Sequence, residues 1–259
     1  MTKNQKIHRG KAVNSKKFLF ICGLHRSGTT ILSKLLREHY EISGFRNTGS
    51  PMDEGQHLQT VFPPAKRYGG PGVFAFDNAS YLDEHSNIIT PENKNKLFFE
   101  WGKHWDLSKP ILLEKSPPNI IRTRFLQEMF PNSYFIVIKR HPVAVSLATN
   151  AFSGRNIELE KLIDHWILCH KQLEKDLPLL KNTITIKYEE LVANPENILH
   201  SISNFINCNP INVALPINSN TNEKYLKKWM GLPATKRADI VNKYERDINA
   251  FGYSFKEFF

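Results

Sequence analysis

Residues 23–30 read Gly-Leu-His-Arg-Ser-Gly-Thr-Thr, placed between the apolar run Phe18-Leu19-Phe20-Ile21-Cys22 and a helical pattern over 29–39. A strand that feeds a Gly-bounded turn into a helix aims several backbone N–H groups and the positive end of the helix dipole at one point, which suits a phosphate or sulfate group. The spacing is that of a nucleotide P-loop with one departure. A nucleoside-triphosphate site takes Gly-x4-Gly-Lys-Ser/Thr, the Lys reaching the terminal phosphates and the hydroxyl holding magnesium; Thr29 stands at the Lys position here. The cation of the loop is Arg26, and the amides of Ser27, Gly28, Thr29 and Thr30 complete a candidate cradle. A second candidate phosphate contact is Arg140, at the end of the strand-like run Tyr134 to Lys139 and before His141-Pro142. Open α/β sheets bind ligands at the carboxyl ends of strands, and a guanidinium there can grip a phosphate with two parallel hydrogen bonds. Phosphoryl transfer on a P-loop wants a magnesium-holding Asp at a strand end, yet this strand ends in Lys139-Arg140.

The elements that must position these groups are legible in the hydrophobic pattern. Strands are expected near 17–22, 110–114, 133–139 and 183–188, and helices near 29–39, 92–105, 118–130, 142–150, 158–177, 195–206 and 236–250. Alternating strands and helices with nearly continuous apolar strands predict an α/β fold, a single P-loop-type domain with a central parallel sheet flanked by helices. Residues 41–90, with Pro63-Pro64 and Gly69-Gly70-Pro71-Gly72, lack a sustained period. A segment that long is usually functional or mobile.

With 259 residues, 41% of them hydrophobic, the chain can bury one full core. The division expected is a flexible basic tail over 1–16 and one domain over 17–259. The net charge of +10, from 35 Lys and Arg against 25 Asp and Glu, favours polyanionic ligands. Cys22, Cys169 and Cys208 are odd in number and widely spaced, which argues for neither a disulfide framework nor a metal site. No run approaches the roughly 18 apolar residues of a transmembrane helix.

The loop at 23–30 resembles the opening loop of sulfotransferases that use 3′-phosphoadenosine 5′-phosphosulfate (PAPS), in the Arg-Ser-Gly-Thr-Thr form of Golgi-type and bacterial members. Three further segments resemble the family in order: the strand-to-helix junction at Arg140-His141-Pro142, Glu114-Lys115-Ser116-Pro117, and Tyr188-Glu189-Glu190-Leu191. The resemblance implies a PAPS-dependent sulfotransferase that needs no metal. Arg26 and the amides of Ser27 to Thr30 would hold the 5′-phosphate side, and Arg140 the 3′-phosphate. The family places a partner Ser eight positions after the Arg, which here is Ala148; Ser146 is preferred and Thr149 is the other hydroxyl available. Glu54 is the expected base by its position after the loop helix, with His57 as alternative because His titrates near neutrality. Lys115 resembles a lysine near the transferred group in glycan-modifying members, or else pairs with Glu114. Tyr188 either borders the cofactor or packs as a strand-end tyrosine, and 221–229 could close over the adenosine. The acceptor implied is a carbohydrate, bound largely by 41–90. Golgi relatives carry an N-terminal anchor that this sequence lacks, so a cytoplasmic location is expected. The polyanion preference is met by PAPS without nucleic acid. The rival readings are a P-loop small-molecule kinase and a non-catalytic nucleotide or polyanion binder.

Overall fold

The computed structural model describes residues 16–258; apart from Lys16, the tail expected over 1–16 lies outside them. Strand β1 (Lys17–Cys22) is central to a five-stranded, wholly parallel sheet. The order is β2 (Ile42–Gly44), β3 (Ile111–Lys115), β1, β4 (Ser133–Lys139), β5 (Thr183–Lys187). β1 reads as unbroken hydrophobic sequence because both faces of the sheet are covered. Phe18, Phe20 and Cys22 enter a cluster with Trp101, Phe130 and Phe135, while Leu19 and Ile21 enter another with Leu32, Leu35 and Ile202. This is the period-two alternation of a strand, hidden from the sequence because each side finds an apolar layer.

The helices are α1 (Thr29–Leu36), α2 (Pro91–Gly102), α3 (Thr123–Met129), α4 (Pro142–Ser153), α5 (Leu159–Asp176), α6 (Tyr188–Ala193), α7 (Pro195–Ile206), α8 (Glu223–Met230) and α9 (Ala234–Asn249). α8 falls where no helix was expected, and three further details depart from expectation. The helix expected over 118–130 is a tight 3-10 turn over Pro117–Ile121 followed by the shorter α3. The segment 41–90 is mostly turns and 3-10 pieces, but it opens with edge strand β2. Tyr188 begins a helix and does not end a strand. Caps follow the chemistry: Asn194 accepts from the Asn197 amide ahead of Pro195, and Thr90 from Asn93 ahead of Pro91. Among the described residues no helix is long and apolar enough to cross a membrane.

Strand order reverses around β1, which has β3 on one side and β4 on the other, and the parallel pairing brings the carboxyl ends of all three to the same edge of the sheet.

Candidate active site

The loop after β1 is held in place by steric necessity. Gly28 has φ +103°, and a Cβ there would lie 2.3 Å from the Tyr188 ring. Arg26 itself adopts a left-handed conformation with φ +69°, and Ser27 ties the turn through its amide and Oγ to the Leu24 carbonyl at 3.0 and 2.7 Å. No side chain caps the first turn of α1. Its leading N–H groups are therefore available to an anion.

Arg26, Gly28, Thr29, Thr30, Arg140 and Tyr188 line one cavity of about 270 Å³, together with Ile31, Lys34, Met52 and Thr221. Arg140 is only 4% exposed. Its guanidinium lies 4.2 Å from the Tyr188 ring centroid and 5.4 Å from that of Tyr225. Nε and Nη2 both donate to the Asn222 Oδ1, at 3.0 and 2.5 Å, and Nη1 donates to the Arg26 carbonyl at 2.8 Å. Asn222 is held in turn by Glu189, which accepts from its Nδ2 at 3.1 Å and from the Tyr253 hydroxyl at 3.2 Å. Among the described residues no carboxylate pairs directly with Arg140. Burial lowers its pKa from the ordinary value, the sign of a cation short of compensating charge.

On the other side of the loop, residues 54–56 are fastened to the end of β3. The Gly55 amide donates to Glu114 Oε1 at 3.0 Å, the Gln56 amide to Ser116 Oγ at 2.9 Å, and Lys115 Nζ to Glu54 Oε1 at 3.1 Å. Adjacent residues of a strand point to opposite faces, so Glu114 and Lys115 do not pair with each other. Glu114 accepts from Ser116 and Asn119, both at 2.6 Å, and burial raises its pKa to about 7. Lys115 pairs with Glu54 and also donates to the Met52 carbonyl; both members of the pair are buried. Glu54 Oε2 accepts from Gln56 at 2.6 Å and lies 3.9 Å from His57 Nε2. Burial first, then Lys115 and Lys66, lower the His57 pKa against the opposing effect of Glu54.

Glu54, His57 and Lys115 are thus brought together, as are Arg26, the loop amides, Arg140 and Tyr188. Ser146 is placed elsewhere. Its side chain lines a separate cavity of about 10 Å³ with His25, Thr149 and His165, and its buried Oγ has no hydrogen-bond partner. Thr149 donates to the His25 carbonyl at 3.4 Å. Neither hydroxyl is among the groups lining the cavity that Arg140 lines. Lys34 escaped the sequence reading, and Thr221 and Asn222 entered it only within the segment 221–229, without the bond to Arg140. Lys34 falls one helical turn after Thr30, a spacing that could have revealed it, whereas nothing local ties Thr221 or Asn222 to a strand 82 residues earlier.

A sulfotransferase family model matches residues 19–210, so the chain belongs to the sulfotransferase family. Similar architectures are the sulfotransferase domain of the curacin biosynthetic pathway, 16% identical, with 92% of this chain and 98% of that one covered and a TM-score of 0.54, and the sulfotransferase domain of the Synechococcus PCC 7002 olefin synthase, 18% identical, 93% and 96% covered, with a TM-score of 0.55. An uncharacterised protein of Aquifex aeolicus (strain VF5) is 21% identical over 206 residues, which is 76% of this chain and 26% of that protein. The chain thus spans about a quarter of the length of that curated relative.

Proposed function

We propose that this chain transfers a sulfuryl group from PAPS to a hydroxyl of a carbohydrate acceptor. Arg140 carries the reading: a buried guanidinium at a strand end, beside an uncapped phosphate loop, with only neutral groups bonded to it. A buried charge is expensive without a counter-ion, and a 3′-phosphate is the counter-ion the site fits. Asn222 Oδ1 occupies the Nε and Nη2 pair that would grip such a group, so a phosphate oxygen would replace a neutral acceptor with a charged one. Thr221, on the same cavity, is the hydroxyl nearest in role to the one expected of Ser146. Arg26 and the amides of Gly28, Thr29 and Thr30 take the 5′ side, because the Ser27 amide is already spent on the Leu24 carbonyl.

Sulfuryl transfer breaks the bond between sulfur and the 5′-phosphate oxygen while the acceptor oxygen bonds to sulfur. The leaving oxygen gains charge, which Arg26 and the loop amides neutralise, and the acceptor proton goes to a base. Glu54 is that base in this reading, held in position by Lys115. The carbohydrate class rests on the likeness of Glu114-Lys115-Ser116-Pro117 to glycan-modifying relatives. The absent loop Lys and strand-end Asp stand against a nucleoside-triphosphate kinase.

Adding 3′,5′-bisphosphoadenosine without magnesium is expected to raise the melting temperature, as any ligand of the native state does, and ATP to do so much less for want of a 3′-phosphate. Equal stabilisation by magnesium-ATP, or loss of the bisphosphate effect in EDTA, would reject the assignment. Arg140→Ala is expected to weaken bisphosphate binding by about 1.5–3 kcal/mol through loss of a charge-assisted contact and to narrow the preference over nucleotides lacking the 3′-phosphate. Arg26→Ala should weaken both kinds alike. Titration calorimetry on the two variants measures this, and an unchanged 3′-phosphate preference in Arg140→Ala would place that phosphate elsewhere.

A further inference from the structure

At the amino-terminal ends of the strands, on the far side of the sheet from the phosphate loop, His39, Glu41 and Cys208 meet. His39 and Glu41 lie in the turn between α1 and β2, and Cys208 lies two residues beyond α7. One donor atom from each of the three side chains lies within 4.8 Å of the other two, and His39 Nδ1 is 4.0 Å from Glu41 Oε2. The His39 side chain is 6% exposed. Its Nδ1 accepts one long bond from the Glu41 amide at 3.3 Å, and its buried Nε2 has no partner. Asn209 fixes the carboxylate from outside, donating through its backbone amide and Nδ2 to Glu41 Oε2 at 2.9 and 3.1 Å.

We propose that His39, Glu41 and Cys208 form a zinc site that ties the end of α7 to the turn before β2. One imidazole, one carboxylate and one thiolate form a ligand set for a borderline-soft transition metal, whereas calcium and magnesium want oxygen donors throughout. Two helices, α1 and α7, run out beside the cluster, and helix carboxyl ends favour positive charge. Lys17 already uses that preference, its ammonium resting on the carbonyls of Ile206 and Asn207 at 2.7 and 3.3 Å. Zinc bonds of about 2.0–2.3 Å require the three donors to draw in by roughly an ångström. The Cys208 thiol, which now donates to the Asn209 carbonyl at 3.2 Å, would give up its proton to become a ligand. Water takes the fourth position. The bonds from Asn209 to Glu41 are the outer support that metal-bound carboxylates usually have.

The test uses the tag-free full chain and the metal alone. One equivalent of Co²⁺ is expected to produce a thiolate-to-metal charge-transfer band that Zn²⁺ abolishes. Zn²⁺ should slow alkylation of Cys208, followed by peptide mass spectrometry, at least tenfold. Cys208→Ser should lose the band, and Glu41→Gln and His39→Asn should each weaken Co²⁺ at least tenfold, with melting in chelator reporting whether each variant folds. Absence of the band in the wild-type chain, unprotected Cys208, or a band that survives Cys208→Ser overturns the site. The alkylation arm needs no variant, so a misfolded substitution leaves the test intact. Bisphosphate binding at the distant cavity is expected to be unchanged by Zn²⁺, and the zinc result stands whether or not PAPS is the donor.

Discussion

Glu54→Gln is expected to lower turnover by about 10² to 10⁴-fold, the range of a lost general base, with the affinity for 3′,5′-bisphosphoadenosine nearly unchanged. The amide keeps the carboxylate's shape and can still accept from Lys115, now 3.1 Å away, but it cannot take a proton. A purely structural role for Glu54 predicts a different pattern, because its partner is a lysine only 3% exposed. Loss of the charge would then lower the melting temperature and disturb acceptor KM, while kcat at saturation stayed near wild type. The acid limb of the rate profile is expected to vanish or shift in Glu54→Gln, and His57→Asn to have the smaller effect. An inactive His57→Asn beside an active Glu54→Gln would transfer the base to the histidine, whose ring is 3.9 Å from the carboxylate.

Acid is expected to destabilise the fold steeply below pH 6.5. His141, His165 and His170 are buried, and burial lowers their pKa values from the ordinary 6.5 to about 4, 3 and 3. The folded chain keeps these rings neutral, while the unfolded chain protonates them as pH falls through 6.5. Stability that is whole above 6.5 is therefore lost on acidification, down to the folded values. Glu114 works the other way: raised from 4.5 to about 7, it holds a proton in the fold that the unfolded chain releases above pH 4.5. From these four groups, three protons one way and one the other leave a net uptake of two on unfolding near pH 5.5, a slope of about 2.7 kcal/mol per pH unit, and His25, lowered by burial to about 3, steepens it in the same sense. For a chain of this size that is on the order of 5–10 °C per unit. Melting curves between pH 7.5 and 4.5 measure it, and a flat profile above pH 5 would mean that the three rings are protonated inside the fold.

The four long strands were legible because a sheet covered on both faces demands unbroken apolar runs, and all four lie within a residue of where those runs predict them. β2 was not, since Ile42-Ser43-Gly44 is too short to carry a period. α8 was missed because Tyr225, Leu226 and Trp229 are its only large apolar residues before the terminal Met230, and Lys224, Lys227 and Lys228 among them read as a loop. In the candidate site, the loop and Arg140 were legible because strand-to-helix junctions advertise themselves. Ser146 is favoured only by its early place in a helix, a criterion blind to rotation about the axis, and the rotation sends it to His25 and His165. The Glu54 and Lys115 pair needed two segments to be laid side by side, which no local pattern encodes. Cysteine spacing likewise said nothing of His39 and Glu41, because Cys208 meets them only through the fold.

The rungs that fasten residues 54–56 to the end of β3 also mark where the chain can be re-engineered. Gly55 can carry no side chain, since a Cβ would lie 2.4 Å from Glu114 Oε1, and Trp101 Nε1 locks its carbonyl at 2.9 Å. Residues 54–56 are thereby indexed to the sheet. The stretch from His57 to Asn87 is tied back to that index by the His57 and Leu58 amides, which donate to the Glu54 and Gly55 carbonyls at 3.0 Å each, by Gln59 Nε2 donating to the Gln56 carbonyl at 3.3 Å, and by the Gln56 Oε1 accepting from Ala65 at 2.8 Å. On the proposed function, a graft that keeps these bonds and begins after Gln59 exchanges the acceptor-facing stretch while leaving Glu54 and His57 in place.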